Sequence, residues 1–148
     1  ITRAVAAIVA GTQQKLFLGN LAARRDWGFA PEYVEAMWRI LQHDRPDDFV
    51  IGTGEARTVR EFVVEPFGYV NRDWRAHVVI DPRYLRPLDI GVLRADPRKA
   101  RRALHWFPRI SFRDLVRLMV DADLEALGQP SPGLGRQAAE KALGRWWR

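Results

Sequence analysis

The sequence predicts a mixed α/β chain in which short strands alternate with amphipathic helices, on three observations. Apolar residues recur at helical spacing in several segments, short β-branched or aromatic runs stand between them, and Gly, Pro, Ser or Thr falls where helices should start or stop. Ile1, Val5, Ile8 and Val9 share one helical face and Gly11 follows as a C-cap, so the chain begins inside a helix. Lys15 to Gly19 reads as a strand, and the Arg-Arg-Asp-Trp run at 24–27 as a tight basic turn. Pro31 and Glu32 open a helix whose Tyr33, Val34, Met37, Trp38 and Leu41 form an apolar stripe, expected to be buried. Phe49 to Ile51 reads as a buried strand running into Gly52-Thr53-Gly54, and Thr58 with Glu61 has capping-box spacing. Phe67 to Ala76 has no clean period and reads as a loop before a strand at His77 to Ile80. Asp96-Pro97 starts a short helix through Leu104, and Ser111 caps another that runs to about Leu127 and ends at Gly128.

The chain has 148 residues, 47% hydrophobic, with six Trp and seven Phe, which is enough for one domain with a real core. No run reaches the roughly 18 apolar residues that a membrane span needs, and the N-terminus has no signal-peptide architecture. A cytoplasmic, soluble protein is expected, with Ile1 in place of Met pointing to a truncated start. The absence of Cys removes disulfides, thiolate nucleophiles and Cys-based zinc sites. A net charge of +6 invites a nucleic-acid partner, yet the 24 basic residues are scattered and no recognition motif accompanies them. Neither nucleic acid nor membrane is expected as a partner. His43, His77 and His105 have no metal-ligand spacing, so no metal site is expected.

Two motifs carry the functional reading. Leu18-Gly-Asn-Leu-Ala-Ala-Arg-Arg-Asp-Trp-Gly-Phe-Ala30 joins strand, basic segment and helix, and Asp81-Pro-Arg-Tyr-Leu-Arg-Pro87 follows far downstream. A diphosphate needs fixed guanidinium groups that can bond its oxygens in a planar fork, and Arg25 and Arg86 are the candidates. Pro87 restricts the backbone of Arg86, and Gly19 permits a close backbone approach that a side chain would block.

Both motifs, in this order, resemble those of the GDP-mannose 4,6-dehydratases, extended short-chain dehydrogenase/reductases. The resemblance implies the C-terminal, substrate-binding portion of a Rossmann-type enzyme, with the N-terminal cofactor domain missing. It covers residues 1–127; residues 128–148 read as a Pro/Gly linker and a basic, Trp-containing tail, in which Leu134, Ala138, Ala142, Leu143, Trp146 and Trp147 share one helical face. The implied substrate-binding residues are Gly19, Asn20, Arg25, Arg86 and Asp89, the last in a position where the family usually has Glu. The family dehydrates GDP-mannose to GDP-4-keto-6-deoxymannose with NADP taking and returning a hydride, and its members assemble as homo-oligomers. The Leu104-His-Trp-Phe-Pro108 run resembles a Leu-Gly-Trp-x-Pro ending of the wider superfamily, which places His105 where a left-handed Gly is usual.

Catalytic residues are expected to lie outside this chain. Four residues after Tyr33, Tyr69 and Tyr84 stand Met37, Asp73 and Leu88, so no Tyr-x-x-x-Lys pair exists, and no Gly-x-x-Gly-x-x-Gly turn is present for a cofactor pyrophosphate. The expected function is therefore a GDP-mannose 4,6-dehydratase fragment that holds the GDP end and is inactive alone. The alternatives are another nucleotide-sugar epimerase or reductase of the superfamily, or a non-catalytic binding remnant.

Overall fold

The architecture comes from a computed structural model, which describes residues 1–86, 88 and 90–144. Its elements are α1 (Thr2–Val9), β1 (Leu16–Leu18), β2 (Arg24–Asp26), α2 (Ala30–Leu41), β3 (Ala56–Thr58), α3 (Val59–Tyr69), β4 (Val78–Ile80), α4 (Arg98–Ala103), α5 (Phe112–Ala126) and α6 (Leu134–Leu143). Short 3-10 turns at Trp74–Ala76 and Pro82–Tyr84 flank β4. β1 pairs in parallel with β4, Leu16 opposite Val78, and β2 pairs antiparallel with β3, Arg25 opposite Arg57.

The core sits where α1, α3, α5 and α6 meet. Val5 and Ile8 pack with Leu21, Val63 and Phe67, while Ala6 meets Val120 and Leu124 across α5. Thr58 opens α3 through a complete capping box, its hydroxyl accepting from Glu61 N at 3.0 Å while the Glu61 carboxylate accepts from Thr58 N at 2.6 Å. Ser111 caps α5, and Gly128 after it has φ +65°, the left-handed C-terminal stop its sequence position implied. His105 takes φ +50°, and Trp106 behind it is buried with its indole N–H donating to the Glu32 carbonyl at 2.8 Å.

Four sequence expectations need correction. Residues 24–26 form a strand, not a turn, because β3 supplies a partner for their backbone groups. Phe49 to Ile51 is not a strand: Phe49 and Ile51 lean on the Trp106 cluster, Val50 is exposed, and the pairing segment is Ala56–Thr58 instead. Residues 67–69 belong to the last turn of α3.

The fourth correction concerns direction. The α2 stripe points outward, with Val34, Met37, Trp38 and Leu41 exposed by 61, 62, 61 and 81%. Its inward face is Glu32 and Ala36, because polar bonds and a small residue dock this helix. Glu32 Oε1 accepts from Arg109 N at 2.6 Å, Arg39 Nη1 donates to the carbonyls of Leu104 and His105 at 2.8 Å each, and Ala36 lets the backbone approach the Trp106 cluster.

The tail segment folds back as α6. Gly135 lies so close to the backbone of Arg117 and Leu118 that a Cβ would collide with it, and Ala139 and Leu143 fill the seam with Leu115, Leu118 and Ile110. Asp121, fully buried on α5, holds the entry: its carboxylate accepts from Tyr69 Oη at 2.8 Å, Ser131 Oγ at 2.7 Å, Gly133 N at 3.1 Å and Gly135 N at 2.9 Å. Burial and the neighbouring Asp121 carboxylate push the Tyr69 phenol up to about 12. Trp146 and Trp147 lie outside the described residues.

Candidate functional site: the edge built by residues 18–26 and 81–93

The end of β1 meets the start of the downstream motif directly. Asp81 N donates to the Leu18 carbonyl at 2.8 Å, continuing the parallel ladder by one bond. Asp81 then caps the Pro82–Tyr84 turn, and Arg83 grips its carboxylate through Nε and Nη2 at 2.7–3.1 Å. That guanidinium holds the Asp81 carboxyl below the ordinary carboxylate value. The turn swings the chain over Gly19, where a Cβ would collide with the Tyr84 carbonyl. The close approach that Gly19 permits is thus one by the protein's own backbone. Asn20 accepts from Ala22 N at 2.9 Å, an Asx-type turn that redirects the chain towards β2.

Arg25 ties the two motifs together. Its Nη1 donates to its neighbour's carbonyl, Arg24 O, and to Ile90 O, both at 2.8 Å, across 65 residues of sequence in the second case. Beside it, Arg24 N donates to Gly91 O at 2.8 Å and Leu93 N to Arg24 O at 3.0 Å, so the segment 90–93 runs along the free edge of β2. Asp26, next in the strand, is a backbone anchor: it accepts from Thr53 N and Gly54 N at 2.9 Å and from Ala95 N at 3.2 Å. It fixes the Gly52-Thr53-Gly54 turn and residue 95, and so sets where the downstream segment leaves the site. Trp27 packs its ring against Phe62 at 4.6 Å and the α5–α6 seam.

Arg86 is exposed, and its side chain meets no partner among the described residues. Ile90 follows it by four residue steps, a backbone reach of at most about 14 Å, so it and Arg25 lie along the same edge. Asp89 lies outside the described residues. Of the sequence-derived candidates, the structure therefore gathers Gly19, Asn20, Arg25 and Arg86 around one edge. Sequence reasoning missed the Ile90 carbonyl as the anchor of Arg25 and Asp26 as the clamp on 52–54; the Gly-Thr-Gly run was the available signal for the second. Among the described residues no cluster of His, Asp or Glu is arranged to hold a metal ion.

The fold is shared with several solved structures. It is similar to a Pseudomonas aeruginosa structure titled RMD complexed with NADPH (TM-score 0.74, 20% identity, 85% of this chain and 41% of that one). It is similar also to UDP-glucose 4-epimerase from Bifidobacterium longum in complex with NAD+ and UDP (TM-score 0.68, 18% identity, 85% of this chain and 39% of that one). At this identity the likeness defines the fold class alone, an α/β epimerase/dehydratase architecture of the short-chain dehydrogenase/reductase type. Sequence narrows it. A family model described as GDP-mannose 4,6 dehydratase matches residues 1–119, and the chain belongs to that family. GDP-mannose 4,6 dehydratase 1 of Arabidopsis thaliana is 54% identical over 125 residues, covering 84% of this chain and 35% of that protein. The human GDP-mannose 4,6 dehydratase is 44% identical over 144 residues, covering 86% of this chain and 39% of that protein. The chain therefore spans little more than a third of the length of these relatives.

Proposed function

We propose that this chain is the nucleotide-sugar-binding portion of a GDP-mannose 4,6-dehydratase, a lyase, and that it holds the GDP end of GDP-mannose. The observation that carries the reading is the bond from Arg25 to the Ile90 carbonyl, which brings the two family motifs to one edge. In this reading residues 1–127 carry the substrate-binding portion, and the segment that follows contributes α6, packed against α5. Arg86 provides the exposed guanidinium for the diphosphate; Arg25 holds the Ile90 segment and lies on the phosphate side. Gly19 and Asn20 present backbone towards the nucleotide, and Asp89 is the acidic group towards the ribose.

A nicotinamide dinucleotide does not fit the residues of this chain, because the sequence has no glycine-rich turn to seat its pyrophosphate. The family's NADP and the acid/base pair are assigned to parts of the enzyme that this chain does not include. Assembly of the whole enzyme as a homo-oligomer and a cytoplasmic location belong to the same reading. Among the described residues no helix is long and apolar enough to cross a membrane.

Equilibrium dialysis tests the binding claim: the purified protein should retain GDP and release UDP, and equal retention of both would remove the GDP assignment. Incubation with GDP-mannose and NADP should give no keto sugar. Turnover above a blank would show that the chemistry does not need a Tyr-x-x-x-Lys pair.

A further inference from the structure

A groove of about 940 Å³ opens between α3 and the loop that leads into α5, with Trp27 and Arg57, the cross-strand partner of Arg25, in its wall. Its volume lies within the range of small-molecule sites. Gly19, Asn20, Arg25 and Arg86 are not part of its wall. The wall combines three features with separate chemical meanings.

The first is uncommitted positive charge. Five arginines and three glutamates line the groove. Arg57 is paired with Glu55 and Glu61, Arg109 with Glu32 and Glu35, and Arg113 with Glu65. Arg60 and Arg101 meet no carboxylate among the described residues; Arg60 lies over the Trp74 ring at 5.6 Å and Arg101 donates to the Thr53 carbonyl at 2.9 Å. The second feature is a pair of N–H groups, Trp27 Nε1 and Arg101 Nε, that are out of water and have no acceptor. Buried donors are nearly always paired, so these two leave hydrogen-bonding capacity unmet beneath the wall, below the reach of a ligand in the groove itself. The third is aromatic surface: Phe107 is half exposed at the rim and Phe112 lies beneath the Arg57 guanidinium at 5.8 Å.

We propose that this groove is a second ligand site, which takes a small molecule with a flat aromatic ring and a phosphate group. The phosphate meets the guanidinium groups of Arg60 and Arg101, while the ring lies against Phe107. Glu65 is met by Arg113 and Arg117, and Glu55 and Glu61 share Arg57, which leaves Arg60 and Arg101 as the arginines of the wall without a carboxylate contact among the described residues.

Phenyl phosphate is the probe, titrated into the purified protein by calorimetry, with inorganic phosphate, phenol and benzoate as the other arms. Phenyl phosphate should bind at least about tenfold more tightly than any of these three. Arg60→Gln and Phe107→Ala, both at exposed positions, should each weaken it by about tenfold. Arg86→Ala should leave it unchanged, which separates this site from the nucleotide edge. Benzoate binding as well as phenyl phosphate would replace the phosphate with a carboxylate and overturn the assignment. So would equal binding of inorganic phosphate, no binding of phenyl phosphate, or indifference to Arg60→Gln and Phe107→Ala.

Discussion

The α5–α6 corner and the edge built by residues 18–26 and 81–93 treat their polar and apolar groups in opposite ways. At the corner, Asp121 is fully buried yet answered by a phenol, a hydroxyl and backbone N–H groups, and small residues close the seam. At the edge, Phe17 and Ile80 on the β1–β4 pair, Tyr84 and Ile90 beside it, and the guanidinium of Arg86 all face outward. The α2 stripe adds more exposed apolar surface. A region that satisfies its own groups is built for stability, and one that leaves apolar surface and charge exposed is built to receive something. The difference separates the residues that hold the fold from those proposed to bind, and it can be tested from both sides.

The largest expected effect lies at the corner. Asp121→Ala strands several buried donors, each at about 1–3 kcal/mol, so a loss on the order of 3–5 kcal/mol should appear in urea unfolding. A loss within the range of ordinary surface changes would mean that α6 is not anchored there. Gly135→Ala should cost about 1–3 kcal/mol, because its methyl must push α6 off the Leu118 backbone, and thermal denaturation reads it.

The corner should also carry a pH signature at the alkaline end. Tyr69 has a folded value of about 12 against an ordinary 10.0, so its protonated form is favoured by folding. The stability it contributes is fully present below pH 10 and is lost as pH rises through about 12. Tyr69→Phe should flatten that part of the stability profile; an unchanged slope would remove the linkage.

The exposed α2 stripe should respond differently. Met37→Gln with Trp38→Lys should leave unfolding free energy within about 0.5 kcal/mol, since both side chains stand in water, while light scattering shows less self-association. A large stability loss would mean that the stripe is packed after all.

How much of this was legible in the sequence varies with the physics that decides each element. Thr58, Ser111, Gly128 and His105 sit where local backbone geometry alone selects the residue, and their roles were readable. The direction of α2 was not, because periodicity finds an apolar stripe without saying what covers it. Glu32 and Arg39 reach carbonyls and amides more than 60 residues away, and such bonds leave no local pattern. β2 was misread for the same reason: three residues become a strand only when Ala56–Thr58 lies beside them. At the site, Gly19 was legible as a close approach but not as one made by Tyr84, and the anchor of Arg25 at Ile90 is invisible in sequence spacing.

The central claim is that Arg86 at this edge binds the diphosphate of a guanosine nucleotide. Calorimetric titration of GDP into the purified protein and two variants tests it most directly. Arg86→Ala should weaken binding by about 1.5–3 kcal/mol, roughly ten- to a hundredfold. Arg72→Ala removes the same charge from an exposed side chain with no partner among the described residues, and should leave binding nearly unchanged. Equal losses in the two variants, or no loss in either, would contradict the assignment of this edge to the nucleotide.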